Sequence, residues 1–217
     1  LNTNGVSSEN GTTYNLAASD DWAQGALASD DISDTSGNAI TNSNVNTDLG
    51  WQEVSEIWGE GGSLTGSNSL SNDGAILAVG ATKANVSGLG RPGRVRVFSW
   101  QNNQWTQRGT DINGETDKDQ SGGSISISGD GNTVAIGALN NGYSSYGVGE
   151  ANPHFLGGHV RIYSWDGTNW DQLGDDIDGE GSMAKMGRSV SLSDDGRTLA
   201  AASGSYWRIY KWNSDNN

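Results

Sequence analysis

The chain contains no cysteine. Its fold relies on neither disulfides nor thiolate metal sites, and the redox compartment is left open. Cations are scarce too: Lys and Arg total 12, against 26 Asp and Glu, and none stands before Lys83. With a formal net charge of −14, this argues against a general nucleic-acid surface, because phosphate neutralisation needs clustered cations. It argues equally against an anionic bilayer. No run approaches the roughly 20 apolar residues that span a membrane, so no membrane insertion by a helix is expected. No segment carries a helical stripe of useful length. No Gly-x-Ser-x-Gly elbow occurs in a helix-bearing setting, so a hydrolase triad has no support. The chain starts at Leu1 rather than Met, as expected of a processed product or a piece of a longer chain.

What is present is glycine, tryptophan and repetition. Gly supplies 33 of 217 positions, and nine Trp offset a hydrophobic content of only 33%. Glycine at this level fits many tight turns between short strands. A strongly acidic surface stays soluble in salt water, and a saline or secreted setting is expected.

Three units follow one another. Trp51-Gln52, Trp105-Thr106-Gln107 and Trp170-Asp171-Gln172 open them. A Ser-rich strand follows, then Asp73-Gly74, Asp130-Gly131 and Asp195-Gly196, which lie 57 and 65 residues apart. An Ala-rich strand comes next, such as Val134-Ala135-Ile136-Gly137-Ala138. Each unit closes on an alternating strand and a Trp: Arg94 to Trp100, Val160 to Trp165, and Trp207 to Trp212. Period-two alternation gives each strand one packed and one polar face. Asp-Gly reads as a hairpin turn in which both central residues take positive φ.

Four antiparallel strands per unit describe the blade of a β-propeller. The predicted fold is therefore all-β, a propeller-type array of three four-stranded antiparallel blades at 48–104, 105–169 and 170–212. A stacked β-solenoid is the alternative. Gly80, Ala81, Gly137 and Ala138 are small where sheets would crowd, while Val97, Trp100, Ile162, Trp165, Ile209 and Trp212 supply bulk further out. Three blades fall short of the four to eight that usually close a propeller. The array is expected to be open, or completed by other chains or further sequence. Residues 1–47 read as an arm or the end of a preceding domain, with one strand expected at 12–17, another to which Ala39-Ile40 and Val45 contribute, and a turn-rich loop over 30–38. Residues 213–217 read as a tail.

The units resemble FG-GAP, integrin-alpha-like β-propeller repeats of algae and marine microbes. The carrying residues are Trp170-Asp171-Gln172-Leu173-Gly174, Asp176-Ile177-Asp178-Gly179-Glu180, and Gly187 through Gly196, with a middle copy in Asp111-Ile112-Asn113-Gly114-Glu115 and Gly123 through Gly131. The resemblance covers about residues 48–212. It implies a propeller and an adhesive or structural role. Such repeats often hold calcium in an Asp-x-Asp-x-Asp-Gly loop, but the hairpins here lack the alternating carboxylates that would surround a hard cation.

A different loop is the better metal candidate. Polar residues alternate from Asp111 to Asp119, so a loop around Ca²⁺ could present Asp111, Asn113, Glu115 and Asp117 together. The next unit offers Asp175, Asp176, Asp178 and Glu180. In the bland reading Asp-Ile-x-Gly-Glu is a connecting turn with Ile buried and the acids solvated. His154 and His159 read as residues of a surface loop in the insertion 139–159. Trp22 and Trp58 break the repeat, and Tyr143 and Tyr146 stand in that same insertion. These four are the partner-binding candidates, since aromatic residues among Ser, Gly and Asn make adaptable surfaces. Asn10 and Asn85 begin glycosylation sequons.

The function expected is a non-enzymatic structural or binding module, extracellular or on a particle surface, with protein, glycan or further copies of itself as partner. A carbohydrate-binding protein or glycan-active enzyme is one alternative. A virion or fibre component is another.

Overall fold

The computed structural model describes residues 66–142, 156–181 and 183–213, Glu53, residues 55–57, and the backbone of four short strands nearer the N-terminus. All regular structure among them is β, with no helix. The chain separates into a unit over 1–54 and a larger one over 55–217. In the first, β1 (Ser8–Glu9) pairs with β2 (Thr12–Thr13), and β3 (Asn15–Leu16) pairs with β4 (Ile32–Ser33), both antiparallel. The expected single strand at 12–17 is thus split between two partners, and the expected loop 30–38 contains β4. Ala39, Ile40 and Val45 lie outside the described residues.

The larger unit holds three antiparallel sheets, none of them closed. The first comprises β5 (Asn68–Leu70), β6 (Ile76–Ala81), β7 (Arg94–Gln101), β8 (Gln104–Gln107) and β9 (Ile112–Asn113). The second comprises β10 (Ser124–Ile127), β11 (Thr133–Ala138), β12 (His159–Trp165), β13 (Trp170–Gln172) and β14 (Ile177–Asp178). The third, among the described residues, has β15 (Ser189–Leu192), β16 (Thr198–Ala202) and β17 (Trp207–Lys211). In the first two sheets the strands run in sequence order, and β9 and β14 add to the same outer edge as β8 and β13.

The sheets are offset from the sequence units. The strand at an opening Trp does not pair within its own unit. It pairs with the closing strand of the unit before it: Trp105 stands across from Trp100, and Trp170 across from Trp165. The two tryptophans of each pair meet with ring centroids 5.2 and 5.3 Å apart, a distance typical of tilted and edge-on aromatic pairs. The aromatic ends of each unit thus clamp it to the next.

The Asp-Gly hairpins also differ from expectation in one detail. Gly74, Gly131 and Gly196 take φ of 69, 69 and 67°, but the preceding Asp is not among the positive-φ residues. Each turn is closed instead by a serine and the Asp carboxylate. Ser128 Oγ donates to Asp130 Oδ1 at 2.6 Å, the Asn132 amide donates to the same oxygen at 2.9 Å, and the Thr133 amide donates to Ser128 Oγ at 2.9 Å. The same three bonds recur at Ser71/Asp73 and Ser193/Asp195. The short side chain mimics a turn of backbone, so only the glycine needs the left-handed conformation. Among the described residues, the one two-residue turn with positive φ at both positions is Asn102-Asn103, between β7 and β8.

Neighbouring sheets pack face to face. Ala78, Val95 and Val97 of the first meet Ile125, Ile127, Val134, Ile136 and Tyr163 of the second in one buried cluster. Ala135 and Val160 meet Val190, Leu199 and Ala201 of the third in another. The serines of the second strand earn their place here. Ser69 Oγ accepts the Ile127 amide at 3.1 Å, and Ser126 Oγ accepts the Leu192 amide at 2.9 Å. Each serine thus satisfies a backbone donor that its neighbour's edge would otherwise leave unpaired. The small residues mark the closest approach: a methyl on Gly80 would overlap the carbonyl of Gly122, and one on Gly137 that of Gly187.

Ile209 is the exception among the expected bulky contacts. It is 65% exposed, whereas Val97, at the same position in the first sheet, is 1% exposed. No fourth sheet covers it among the described residues.

Candidate functional site

The acids of Asp-Ile-x-Gly-Glu sit where one unit hands over to the next. The isoleucine anchors each copy: Ile112 is buried opposite Val95, and Ile177 lies opposite Val160. The preceding acid then lies beside the closing strand. Asp111 accepts from Arg94 Nη1 at 2.5 Å, Arg96 Nε at 2.9 Å and Gln107 Nε2 at 2.9 Å. Partial burial pushes its pKa up, but the bonds from Arg96 and Gln107 and the two guanidinium charges outweigh this and hold it below the usual carboxylate range.

Its counterpart Asp176 accepts from Gln172 Nε2 at 2.7 Å. His159 takes the place of Arg94 and Arg161 that of Arg96, as the strand register fixes. His159 Nδ1 lies 3.4 Å from Asp176 Oδ2 and 3.7 Å from Glu115 Oε2.

The glutamate that ends the motif reaches forward to the following sheet. Glu115 lies 3.7 Å from Arg161 and accepts from Asn141 Nδ2 at 3.1 Å. Glu180 pairs with Arg208 at 2.7 Å, and its amide donates to the Tyr206 hydroxyl at 3.2 Å. The Asn113 carbonyl joins in, accepting from Arg161 Nη2 at 2.8 Å. The motif's Asp therefore binds the sheet it completes, and its Glu binds the next one.

The four residues expected around one cation turn to separate partners. Asp111 is engaged as described. Asn113 offers its backbone carbonyl, while its buried side-chain oxygen has no bonded partner. Asp117 Oδ1 accepts the Arg91 amide at 2.8 Å. The loop itself is shaped by Asp119, a fully buried carboxylate that accepts from the Glu115 and Thr116 amides at 3.0 and 2.6 Å and from Thr116 Oγ1 at 2.6 Å. In the next copy Asp178 and Glu180 are exposed, and Asp178 stands across from His159 in the ladder.

Glu115, Asp176 and His159 do come together, with one ligand atom from each within 4.8 Å of the others. This group could hold a metal ion. His159 departs from the expected surface loop: it opens β12 and is 1% exposed. The signal for this was available, since His159-Val160-Arg161-Ile162-Tyr163 repeats the alternation of Arg94-Val95-Arg96-Val97-Phe98. Burial, reinforced by the Arg161 charge, lowers its pKa from 6.5, against the opposing pull of Asp176, Glu115 and Asp119. The imidazole is therefore neutral near pH 7, as a metal ligand must be. The donor set is a poor match for calcium, which takes six to eight oxygens. One nitrogen with two carboxylates suits a zinc-type ion better. The Arg161 guanidinium beside Glu115 opposes either.

An apolar cleft opens between the second and third sheets, lined by Ile162, Leu173, Ile177, Leu199, Tyr210 and Trp212. The corresponding place between the first and second sheets is filled. There Arg108 lies 4.5 Å over the Trp165 ring, and the buried Trp170 donates from Nε1 to the Arg108 carbonyl at 2.9 Å. Trp22, Trp58, Tyr143, Tyr146 and His154 lie outside the described residues. No protein-family model matches the chain, and no curated protein matches it in sequence.

Proposed function

We propose that this chain is a non-enzymatic structural and binding module, an open array of propeller-type blades in an extracellular or particle-surface assembly. One observation carries the reading: recurring polar side chains are engaged in joining one unit to the next, within a sheet or across to its neighbour. Asp111, Glu115 and Glu180 face arginines of neighbouring strands, and Ser69 and Ser126 face neighbouring amides. Side chains so engaged stiffen a scaffold and are not free to turn over a substrate. The resemblance to FG-GAP, integrin-alpha-like repeats supports an adhesive role for that scaffold. Loops such as the insertion 139–159 would carry recognition of protein or glycan.

The glycan-active alternative draws on one feature, since the Glu115 and Asp176 oxygens lie within 4.8 Å and a retaining pair stands about 5 Å apart. Both acids, however, face His159, and Glu115 also faces Arg161. Incubation with a panel of chromogenic glycosides separates the two readings. The scaffold reading expects no turnover; turnover abolished by Glu115→Gln and by Asp176→Asn would overturn it.

A bound cation at Glu115, His159 and Asp176 is a second reading, favoured by the convergence of those three groups. Calcium is the ion the repeat resemblance implies, and zinc the ion the donor types suit. Either would raise the melting temperature by binding the folded state alone. Melting in calcium, zinc or chelator at equal ionic strength reads the choice directly, and identical curves would dismiss both ions.

A further inference from the structure

Among the described residues, the third sheet lacks the strand that completes the other two. β7 pairs on its outer edge with β8 and β9, and β12 with β13 and β14, but among the described residues β17 pairs only with β16. The residues on its outer face are correspondingly bare: Trp207 and Ile209 are each 65% exposed, where Val95 and Val97 are 0 and 1% exposed. Ser191, third in the series of Ser69 and Ser126, is exposed as well. The cleft beside Trp212 is the place whose counterpart is filled by Trp170, the opening tryptophan of a following unit.

The opposite end of the array bears the matching half. Leu70 is 53% exposed, whereas Ile127, at the same position in the second sheet, is 6% exposed. Leu77, Val79 and Phe98 share its face and are half-buried. This is the face by which the second sheet seats on the first. Ahead of it, the sequence of residues 51–60 carries a further copy of the completing strand's pattern. Glu56, Ile57, Gly59 and Glu60 match Asp176, Ile177, Gly179 and Glu180, and Trp51 matches Trp170 with one residue fewer before the isoleucine, at the place of Gly174. Glu53 and residues 55–57 belong to no strand here.

We infer that a second copy of this chain seats its Leu70 face on the Trp207 and Ile209 face of the first and lays its residues 51–60 along β17. Both internal sheet junctions supply the template, so the contact continues an interface the molecule already makes twice. Trp51 of the incoming copy would fill the cleft beside Trp212, and its Ile57 would stand across from Trp207, as Ile112 does from Val95. Ser191 would accept the incoming Leu70 amide, as Ser126 accepts that of Leu192. Pairing a free edge with a strand of the right pattern is β-augmentation. The two surfaces differ, so the contact is heterologous and propagates into a ring or a filament. The inference rests on the scaffold reading, but the two fail separately: this one by absence of association, that one by catalytic turnover.

Sedimentation of the full 217-residue chain and of two variants tests it. Trp207→Glu spoils one surface and Leu70→Glu the other, and both positions are exposed in the single chain. The wild type should associate as its concentration rises, and each variant alone should stay monomeric. Their equimolar mixture should form a one-to-one dimer and grow no further, because each contributes its one intact surface. A wild type that stays monomeric, variants that still self-associate, or a mixture that remains monomeric would overturn the proposal. Because the chain has no cysteine, Ile57→Cys on one copy and Trp207→Cys on another should cross-link under oxidation. A chain carrying both cysteines that closes on itself at high dilution, with no cross-link between chains, would show that its own segment occupies the edge.

Discussion

Glu180 lies at the end of one unit's connecting motif and pairs with Arg208 of the following sheet at 2.7 Å. Glu115, the same residue one unit earlier, stands beside Arg161 in the same way. Acids that read in sequence as calcium ligands or solvated turn residues are thus parts of a repeated junction. The geometry leads to four predictions.

Gly137→Ala should be severely destabilising. The added methyl would collide with the Gly187 carbonyl and Ser124 Oγ, so two sheets would have to move apart. Overpacking of this kind costs about 1–3 kcal/mol or more. Gly80→Ala should behave alike, through the Gly122 carbonyl. Urea denaturation of each variant measures the loss. A change below about 0.5 kcal/mol would mean that the sheets do not approach as described.

Asp130→Ala should weaken its hairpin without changing the fold. The carboxylate is shared by Ser128 Oγ and two donors of Asn132. Loss of such bonds at a partly exposed site costs about 1 kcal/mol. Asp130→Asn, which keeps an acceptor oxygen, should recover part of it. Equal losses in the two variants would assign the effect to charge.

Stability should fall between about pH 7.5 and 5.5, where unperturbed histidine titrates. His159 is buried with its pKa below 6.5, facing Glu115, Asp176, Asp119 and Arg161. The unfolded chain takes up the proton first, so the folded state is favoured above about pH 6.5 and loses that advantage as pH falls through the folded value. His159→Gln should flatten the profile in this window. The hairpin acids Asp73 and Asp195, lowered from 3.8 by their serine bonds, add a separate loss only at lower pH. A variant that retains the wild-type slope would place its origin elsewhere.

Much of the sheet content was legible in the sequence because alternation and turn chemistry are local. The Asp-Gly pairs and Ala-rich strands fall where the repeat puts them, and Gly80 and Gly137 stand at the close approaches. The offset between unit and sheet was not legible, because nothing in Trp-x-Gln distinguishes pairing with its own unit from pairing with the previous one. That depends on two tryptophans meeting edge-on or tilted across a turn. The roles of the acids were hidden for the same reason. Asp111 meets arginines 15 and 17 residues earlier, and Glu115 meets one 46 residues later, so spacing along the loop said nothing about their partners. His159 was readable only by aligning it with Arg94, which shows a histidine on a strand rather than in a loop.

The most direct test of this account is a double-mutant cycle on Arg96 and Asp111, which belong to successive sequence units and meet at 2.9 Å in one sheet. If the motif joins units, Arg96→Ala and Asp111→Ala should each destabilise the fold. Their combination should cost less than the sum, with a coupling on the order of 1–3 kcal/mol. Losses that add to within about 0.5 kcal/mol would show that the two residues act independently, and would contradict the junction as the purpose of the repeat.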